Sequence, residues 1–324
     1  MSATILNPYL WALRVRELLY RKGVLRRCRP PFRTVSVGNL SLGGSGKTST
    51  VLELARFLLS KGFKVAVLLR GYGRRTKGPL LVSRGGGPLV GVKEAGDEAY
   101  LYASRLRGVW VAVAERRCEG VELLKPFKPD YLLLDDAFQH LAVERDLDAL
   151  ILTPADLTDR LLPFGRLREP LSAVRRAHYC LLSKTRKDER LENLCRELKK
   201  PFGYLRVVGF ELYDGERNLP FETLKGKRVG IISALGDNEG FQKQVLELAD
   251  RHRFEVVKVL SFRDHSFYEG VELDPSLVWI TTFKDYYKLP RGPARLLVLE
   301  RTFRLPPDFL KKVLDAEPAF GREV

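Results

Sequence analysis

Between an apolar run and a helical pattern the sequence carries Gly43-Gly44-Ser45-Gly46-Lys47-Thr48. Glycines at this density let backbone N–H groups turn inward around phosphate oxygens, and the N-terminus of the following helix adds a dipole that favours negative charge. Lys47 then reaches the β- and γ-phosphates of a triphosphate, and the Thr48 hydroxyl takes Mg²⁺. Ser41, Leu42, Gly43, Gly44, Ser45, Gly46, Lys47 and Thr48 are therefore the ATP-binding candidates, with Ser41 standing where the P-loop pattern has its first glycine. A glycine turn with no ligand has the same composition. The strand before it and the helix after it favour the phosphate reading.

The run Tyr131–Leu134 ends in Asp135 and Asp136. Ligands of parallel sheets sit at the carboxyl ends of strands, so this pair belongs beside the metal of a bound nucleotide, with Thr48, Asp135 and Asp136 as metal candidates. Paired Asp residues also cap turns, but the upstream phosphate loop favours the metal. Arginines follow several strands: Arg70, Arg74 and Arg75, then Arg116 and Arg117, while Arg166 and Arg168 precede the sixth. Guanidinium forks suit the oxygens of a moving phosphoryl group, although any one arginine is more often a solvated surface charge. Two places hold a candidate base, Asp97 after Gly96 and His265 after Asp264. Proton transfer requires hydrogen-bond reach, which spacing alone does not establish for residues so far apart.

These residues need elements to hold them. Short apolar runs at Thr34–Val37, Lys64–Leu69, Val109–Ala114, Tyr131–Leu134, Ala149–Leu152 and His178–Leu182 alternate with stretches long enough for helices. Such alternation predicts a parallel sheet covered on both faces. A second series holds Val229–Ile232, a helix over Phe241–His252, Glu255–Leu260, Val278–Thr281 and Leu296–Leu299. The expected fold class is α/β, a P-loop parallel-sheet α/β/α domain over 1–205, a linker over 206–220 and a smaller α/β domain over 221–324. Residues 9–25 read as a basic amphipathic helix with Trp11, Val15, Leu18 and Leu19 on one stripe, suited either to core packing or to a membrane surface.

The chain has 324 residues, 45% hydrophobic and 30% charged, which excludes a disordered or collagen-like protein. Its net charge of +16 suits nucleic acid, an anionic membrane or a polyanionic substrate alike. The apolar runs are too short to cross a bilayer. Cys28, Cys118, Cys180 and Cys195 have neither metal-ligand spacing nor a nearby His, so neither a zinc site nor a disulfide framework is expected, and a reducing cytoplasm fits best.

Taken together, NLSLGGSGKT at 39–48, LRGYGRR at 69–75, EAGDEAYL at 94–101, LLLDDAFQHLAVERDLD at 132–148, LPFGRLREPL at 162–171, FRDHSFY at 262–268 and ITTFKDYYKL at 280–289 resemble the tetraacyldisaccharide 4′-kinase family of lipid A biosynthesis. The resemblance implies a cytoplasmic enzyme, peripheral on the inner face of the inner membrane. It would move the γ-phosphate of ATP, with Mg²⁺, to the 4′-hydroxyl of an acylated glucosamine disaccharide 1-phosphate. It further implies Lys47, Asp97, His265, Asp135 and Asp136 as catalytic residues, the Asp97–His265 pair acting on the hydroxyl. Arg70, Tyr72, Arg116, Gln139 and Arg168 would meet substrate or phosphate. Ala137 stands where the family usually has Gly. The alternative is a membrane-associated P-loop ATPase switch of the partitioning type, whose loop carries an extra lysine where this chain has Leu42. No helix-turn-helix, zinc or aromatic RNP pattern supports nucleic acid as a partner.

Overall fold

In the computed structural model, residues 7–183, 187–264, 266–290 and 292–316 are described; His265, expected as half of the base pair, lies outside them. After α1 (Pro8–Arg21) the chain forms β1 (Arg33–Asn39), α2 (Lys47–Ser60), β2 (Val65–Leu69), β3 (Leu80–Arg84), α3 (Val92–Ala95), α4 (Asp97–Arg105), β4 (Val109–Val113) and α5 (Arg117–Leu124). There follow β5 (Tyr131–Asp135), β6 (Leu147–Leu152), β7 (Tyr179–Leu182), α6 (Glu189–Glu197) and β8 (Phe202–Tyr204). These strands build an eight-stranded sheet in the order β3-β4-β2-β5-β1-β6-β7-β8, parallel except at the β3–β4 edge. Every residue of β2, β5 and β6 is buried, because helices cover both faces and a parallel strand then has no solvent side. The edge strand β3 escaped the sequence reading because it is only half buried and lacks a continuous apolar run.

The remaining elements are β9 (Arg206–Tyr213), β10 (Asn218–Leu219), β11 (Arg228–Ser233), α7 (Asn238–His252), β12 (Glu255–Ser261), β13 (Val278–Thr281), α8 (Phe283–Tyr286), β14 (Arg295–Arg304) and α9 (Pro307–Asp315). Their six-stranded sheet runs β10-β9-β14-β13-β11-β12, with β9 antiparallel to β14 from Tyr213 opposite Val298 to Arg206 opposite Arg304. Residues 206–220, expected as a linker, therefore hold β9 and β10 of this second sheet. Strand β9 is mostly exposed or half-buried and is interrupted by Gly209, which weakens its strand signature, and its pairing with β14 fixes its form.

The chain crosses back at its far end. Strand β14 continues past its apolar half to Arg304, and α9 then inserts Phe309 and Val313, both fully buried, into the core beneath the first sheet. Tyr179 of β7 donates to Asp308 Oδ2 at 2.5 Å, tying the start of α9 to that sheet. Residues 307–315 thus rest on the first layer rather than within a separate smaller unit.

Helix α1 buries only Leu10, while Trp11 and Val15 are 56% and 51% exposed. Of the two readings of its stripe, core packing is not what the structure contains. The cysteine expectation also needs correction. Cys28 and Cys118, separated by 90 residues, form a disulfide with Cα atoms 5.7 Å apart. Cys28 N–H donates to Ala142 O at 2.8 Å, so the loop after β5 brings the loop before β1 beside the start of α5, a neighbourhood that sequence spacing does not encode. Cys180 and Cys195 are buried and free.

Because Phe309 seals the first core from the chain's other end, Phe309→Ala should cost about 3–5 kcal/mol. Leu246→Ala on α7, at a position 48% exposed, should stay within about 0.5 kcal/mol. Equilibrium urea unfolding measures both; equal midpoints for the two variants would refute this role of α9.

Candidate active site

Strands β1 and β5 are neighbours, with Val37 opposite Asp135, so the phosphate loop and the Asp pair leave the same edge side by side. Residues 41–48 then line a cavity of about 1040 Å³, large enough for a nucleotide and a second substrate group. Gly46 caps α2 in the left-handed region at φ 92°, a conformation that costs other residues 1 kcal/mol or more. That turn aims the first N–H groups of α2 into the cavity. Ser41 avoids positive φ and forms a β-bridge with Leu167, so the replacement of the first loop glycine is conformationally harmless.

One polar cluster floors the cavity. Lys47 Nζ donates to Asn39 Oδ1 at 3.0 Å and lies 3.6 Å from Asp136 Oδ1. Arg168 grips Asp136 with both fork nitrogens, Nη1 to Oδ2 at 2.9 Å and Nη2 to Oδ1 at 2.6 Å, and Nη2 also donates to Asn39 Oδ1 at 2.6 Å. Gln139 Nε2 donates to Asn39 O at 2.8 Å. Asn39 was missed by the sequence reading, although it ends β1 directly before the glycine loop.

The two adjacent carboxylates are held in different states. Burial, then the charges of Glu98 and Asp136, push Asp135 up to about 7. Burial would raise Asp136 also, but Lys47 and Arg168 hold it down to about 2. Asp135 Oδ2 accepts from the Tyr102 hydroxyl at 2.8 Å, whereas its buried Oδ1 has no hydrogen-bond partner among the described residues. A cation beside Thr48 would satisfy that oxygen and lower the carboxyl's affinity for protons. The donor set, one carboxylate and one hydroxyl with room for phosphate oxygens, fits Mg²⁺.

Among the arginines, Arg70 lines the cavity with Tyr72, Gln139 and Arg168, as expected. Arg116 does not: its side chain is 85% exposed and lies 3.6 Å from Glu119. Its neighbour Arg117 faces the cavity instead, buried and donating through Nη1 to Ala114 O at 2.7 Å. Arg116 is the cap residue before α5 and Arg117 its first residue, so the turn of the chain sends the two to opposite sides. Desolvation pulls Arg117 down to about 10 against the opposing carboxylates of Asp136 and Asp135, which leaves it charged at neutral pH.

Asp97 stands behind the cavity wall at the start of α4, 7% exposed, while Glu98 lines the wall itself. Gly96 at φ 85° lets α4 begin against the backbone of Tyr72, where a Cβ would come within 3.0 Å of Tyr72 O. The second sheet supplies the opposite wall. Lys284 at the start of α8 lies 2.9 Å from Asp264, 3.9 Å from Asp97 and 4.0 Å from Glu98. Burial would lower its affinity for protons, but those carboxylates outweigh burial and raise it. Gly236, after β11, packs against Gly43 and Gly44 of the phosphate loop. Neither Lys284 nor Gly236 was singled out from sequence, because both contacts join residues about 190 positions apart.

A parallel sheet with a glycine loop after its central strand, an Asp pair on the adjacent strand and arginines converging on the cavity defines a P-loop phosphotransferase. The comparisons narrow this class. The family model described as Tetraacyldisaccharide-1-P 4′-kinase matches residues 4–317. Tetraacyldisaccharide 4′-kinase of Aquifex aeolicus is 41% identical over 276 residues, covering 85% of this chain and 84% of its own. The Chlorobium limicola protein of the same name is 39% identical over 301 residues, covering 87% and 84%. The crystal structure of LpxK from Aquifex aeolicus in complex with ATP superposes with a TM-score of 0.78 at 37% identity, covering 94% of this chain and 95% of that one. The chain belongs to the tetraacyldisaccharide-1-phosphate 4′-kinase family, and the partitioning-type switch is not favoured.

Exchanging Arg117 for Ala should lower kcat/KM for phosphate transfer by about tenfold or more, the scale of a lost charge-assisted contact, while Arg116→Ala stays within about twofold. Steady-state kinetics on the two variants decides between the neighbours, and the reverse ranking would restore Arg116.

Proposed function

We propose that this kinase transfers the γ-phosphate of ATP to the 4′-hydroxyl of a tetraacyldisaccharide 1-phosphate, with Mg²⁺, at an anionic membrane surface. The convergence of phosphate loop, Asp pair, Arg168 and Lys284 on one cavity, with Asp97 directly behind its wall, carries this reading. Lys47 and Arg168 are engaged by Asp136 and Asn39. Triphosphate oxygens would compete for both cations and draw the transferring group over the loop. Mg²⁺ held by Thr48 and Asp135, with Asp136 beside it, would supply charge neutralisation between the phosphates. The substrate oxygen bonds to the γ-phosphorus as the bond to the β–γ bridging oxygen breaks, and the hydroxyl proton passes to a carboxylate. ADP leaves with the bridging oxygen.

Asp97 is our candidate for that carboxylate, with His265 as its partner. Glu98 offers a second reading, since its carboxylate lines the cavity and Asp97 does not. Lys47→Ala should reduce transfer by about a hundredfold or more without unfolding the protein. Asp97→Asn should lower kcat by about 100-fold or more with KM for ATP little changed, and Glu98→Gln should not. Phosphate transfer from labelled ATP to the disaccharide monophosphate lipid tests the function. A folded Lys47→Ala protein of normal activity would sink the assignment, and the opposite ranking of the two carboxylate variants would move the base to Glu98.

The N-terminal helix suits the membrane contact. Its exposed Trp11, Val15 and Leu18 are followed by exposed Val24 and Leu25, while its other side is fixed to the cavity's rim by Tyr9 OH donating to Arg168 O at 2.9 Å and Arg16 3.4 Å from Glu169. An apolar stripe flanked by Arg14, Arg21 and Lys22 lies naturally at a headgroup boundary, each cation contributing about 1 kcal/mol near an anionic leaflet. No described helix is long and apolar enough to cross a membrane. Replacing Trp11, Val15 and Leu18 together by Ser should weaken sedimentation with phosphatidylglycerol vesicles by about tenfold or more while leaving ATP affinity intact. Unchanged vesicle binding would place the contact elsewhere.

A further inference from the structure

The ITTFKDYYKL stretch contributes a second lysine that the site described so far does not use. Lys288 Nζ is fully buried, 2.9 Å from Asp285 Oδ1 and 3.5 Å from Asp97 Oδ2. It therefore cannot touch ATP or the lipid.

A buried ammonium needs a carboxylate, since an unpaired one costs several kcal/mol. Asp285 already meets that need, and it is anchored within the second sheet. Its Oδ2 accepts from Ala234 N–H at 3.0 Å and from the Thr282 hydroxyl at 3.0 Å. The Asp285–Lys288 ion pair thus forms without the first sheet, although its Nζ and Oδ1 make no hydrogen bond among the described residues. Yet its ammonium is aimed at Asp97, the first residue of α4, which belongs to the other layer of the molecule. Lys284 reaches the same carboxylate from one turn earlier, 3.9 Å away. Among the described residues, the charged and titratable groups around Asp97 include Glu98 on its own helix, Lys284, Asp285 and Lys288 from α8 and the turn after it, and Asp264 and Tyr268 from the segment after β12. Both cations come from the second sheet, against carboxylates that would otherwise disfavour an ionised Asp97.

We propose that Lys288 is a positioning residue for phosphate transfer: it holds the Asp97 carboxylate ionised and oriented from the second sheet, so that the base is competent only when the two layers are together. This inference rests on the reading of Asp97 as the base. It assigns Lys288 no contact with substrate; the residue acts through Asp97 alone.

The test must separate this role from simple neutralisation of Asp285. Lys288→Met leaves Asp285 buried without its cation and loses stability for that reason. The double variant Lys288→Met/Asp285→Asn removes both members of the pair, so it recovers stability whichever role is true. With the full chain, ATP and the disaccharide monophosphate lipid, the double variant should melt near the parent temperature yet show kcat at neutral pH reduced by about tenfold or more. KM for ATP should change by less than about twofold. Loss of the cation 3.5 Å from Asp97 raises that carboxyl's affinity for protons, and loss of the Asp285 charge offsets part of the change, so the acid limb of the kcat profile should move upward by less than about one pH unit. Lys288→Met should add nothing further to Asp97→Asn if the two act as one unit. Parent-like kcat with an unmoved acid limb in the double variant would overturn the inference and leave Lys288 a structural partner of Asp285. Retained activity in Asp97→Asn would instead overturn the reading of Asp97 as base, a different failure visible in the same assay.

Discussion

The parallel pairing of β1 with β5 is the constraint on which the cavity depends. The pairing sets the end of β1, which runs into the glycine loop, beside the end of β5, which runs into Asp135 and Asp136. A shift of one residue in that register would turn every side chain of a strand to the opposite face. Asp135 would then leave the Tyr102 hydroxyl and the neighbourhood of Thr48. Strand β5 is buried throughout and β1 from Thr34 onward, with Val35 and Val37 in the core, which makes such a slip costly, so core packing keeps the phosphate chemistry in place.

Electrostatics then divides the labour between neighbouring carboxylates. Asp136 is neutralised by Lys47 and Arg168 and stays ionised far below neutral pH, whereas Asp135, deeper and with no ion pair among the described residues, keeps its proton more readily. Asn39 bridges the two cations through a single side-chain oxygen, so their positions are fixed by the protein itself. Such preorganisation matters for phosphoryl transfer, in which positioning and charge supply most of the catalysis.

The second sheet is both a wall and a source of charge. Its Lys284 faces the cavity and its Lys288 sits sealed behind Asp97, while Gly236 rests on the phosphate loop. The β9–β14 pair carries this sheet directly from the end of β8, and α9 returns the chain to the first core through Phe309 and Val313. Two crossings hold the layers in register across the cavity. The boundary between the two layers, expected as a linker at residues 206–220, is better proposed at Leu205 and Leu305, where the crossings lie.

Much of this was legible in the sequence where a signal is local. The glycine loop, the Asp pair and the alternation of apolar runs with helices depend on neighbours within a few residues, and the structure places them as read. The choice between Arg116 and Arg117 depended on how the chain turns into α5, which composition does not carry. Whether Trp11 and Val15 would meet a core or solvent depended on what else packed there, and the stripe is the same in either case. The partners of Asp97 and the Cys28–Cys118 bridge come from segments far apart along the chain. Sequence by itself determined the phosphate-binding chemistry because a P-loop is written in adjacent residues; tertiary structure alone decided which arginine, which lysines and which carboxylate share the cavity, because those contacts exist only once two sheets have packed.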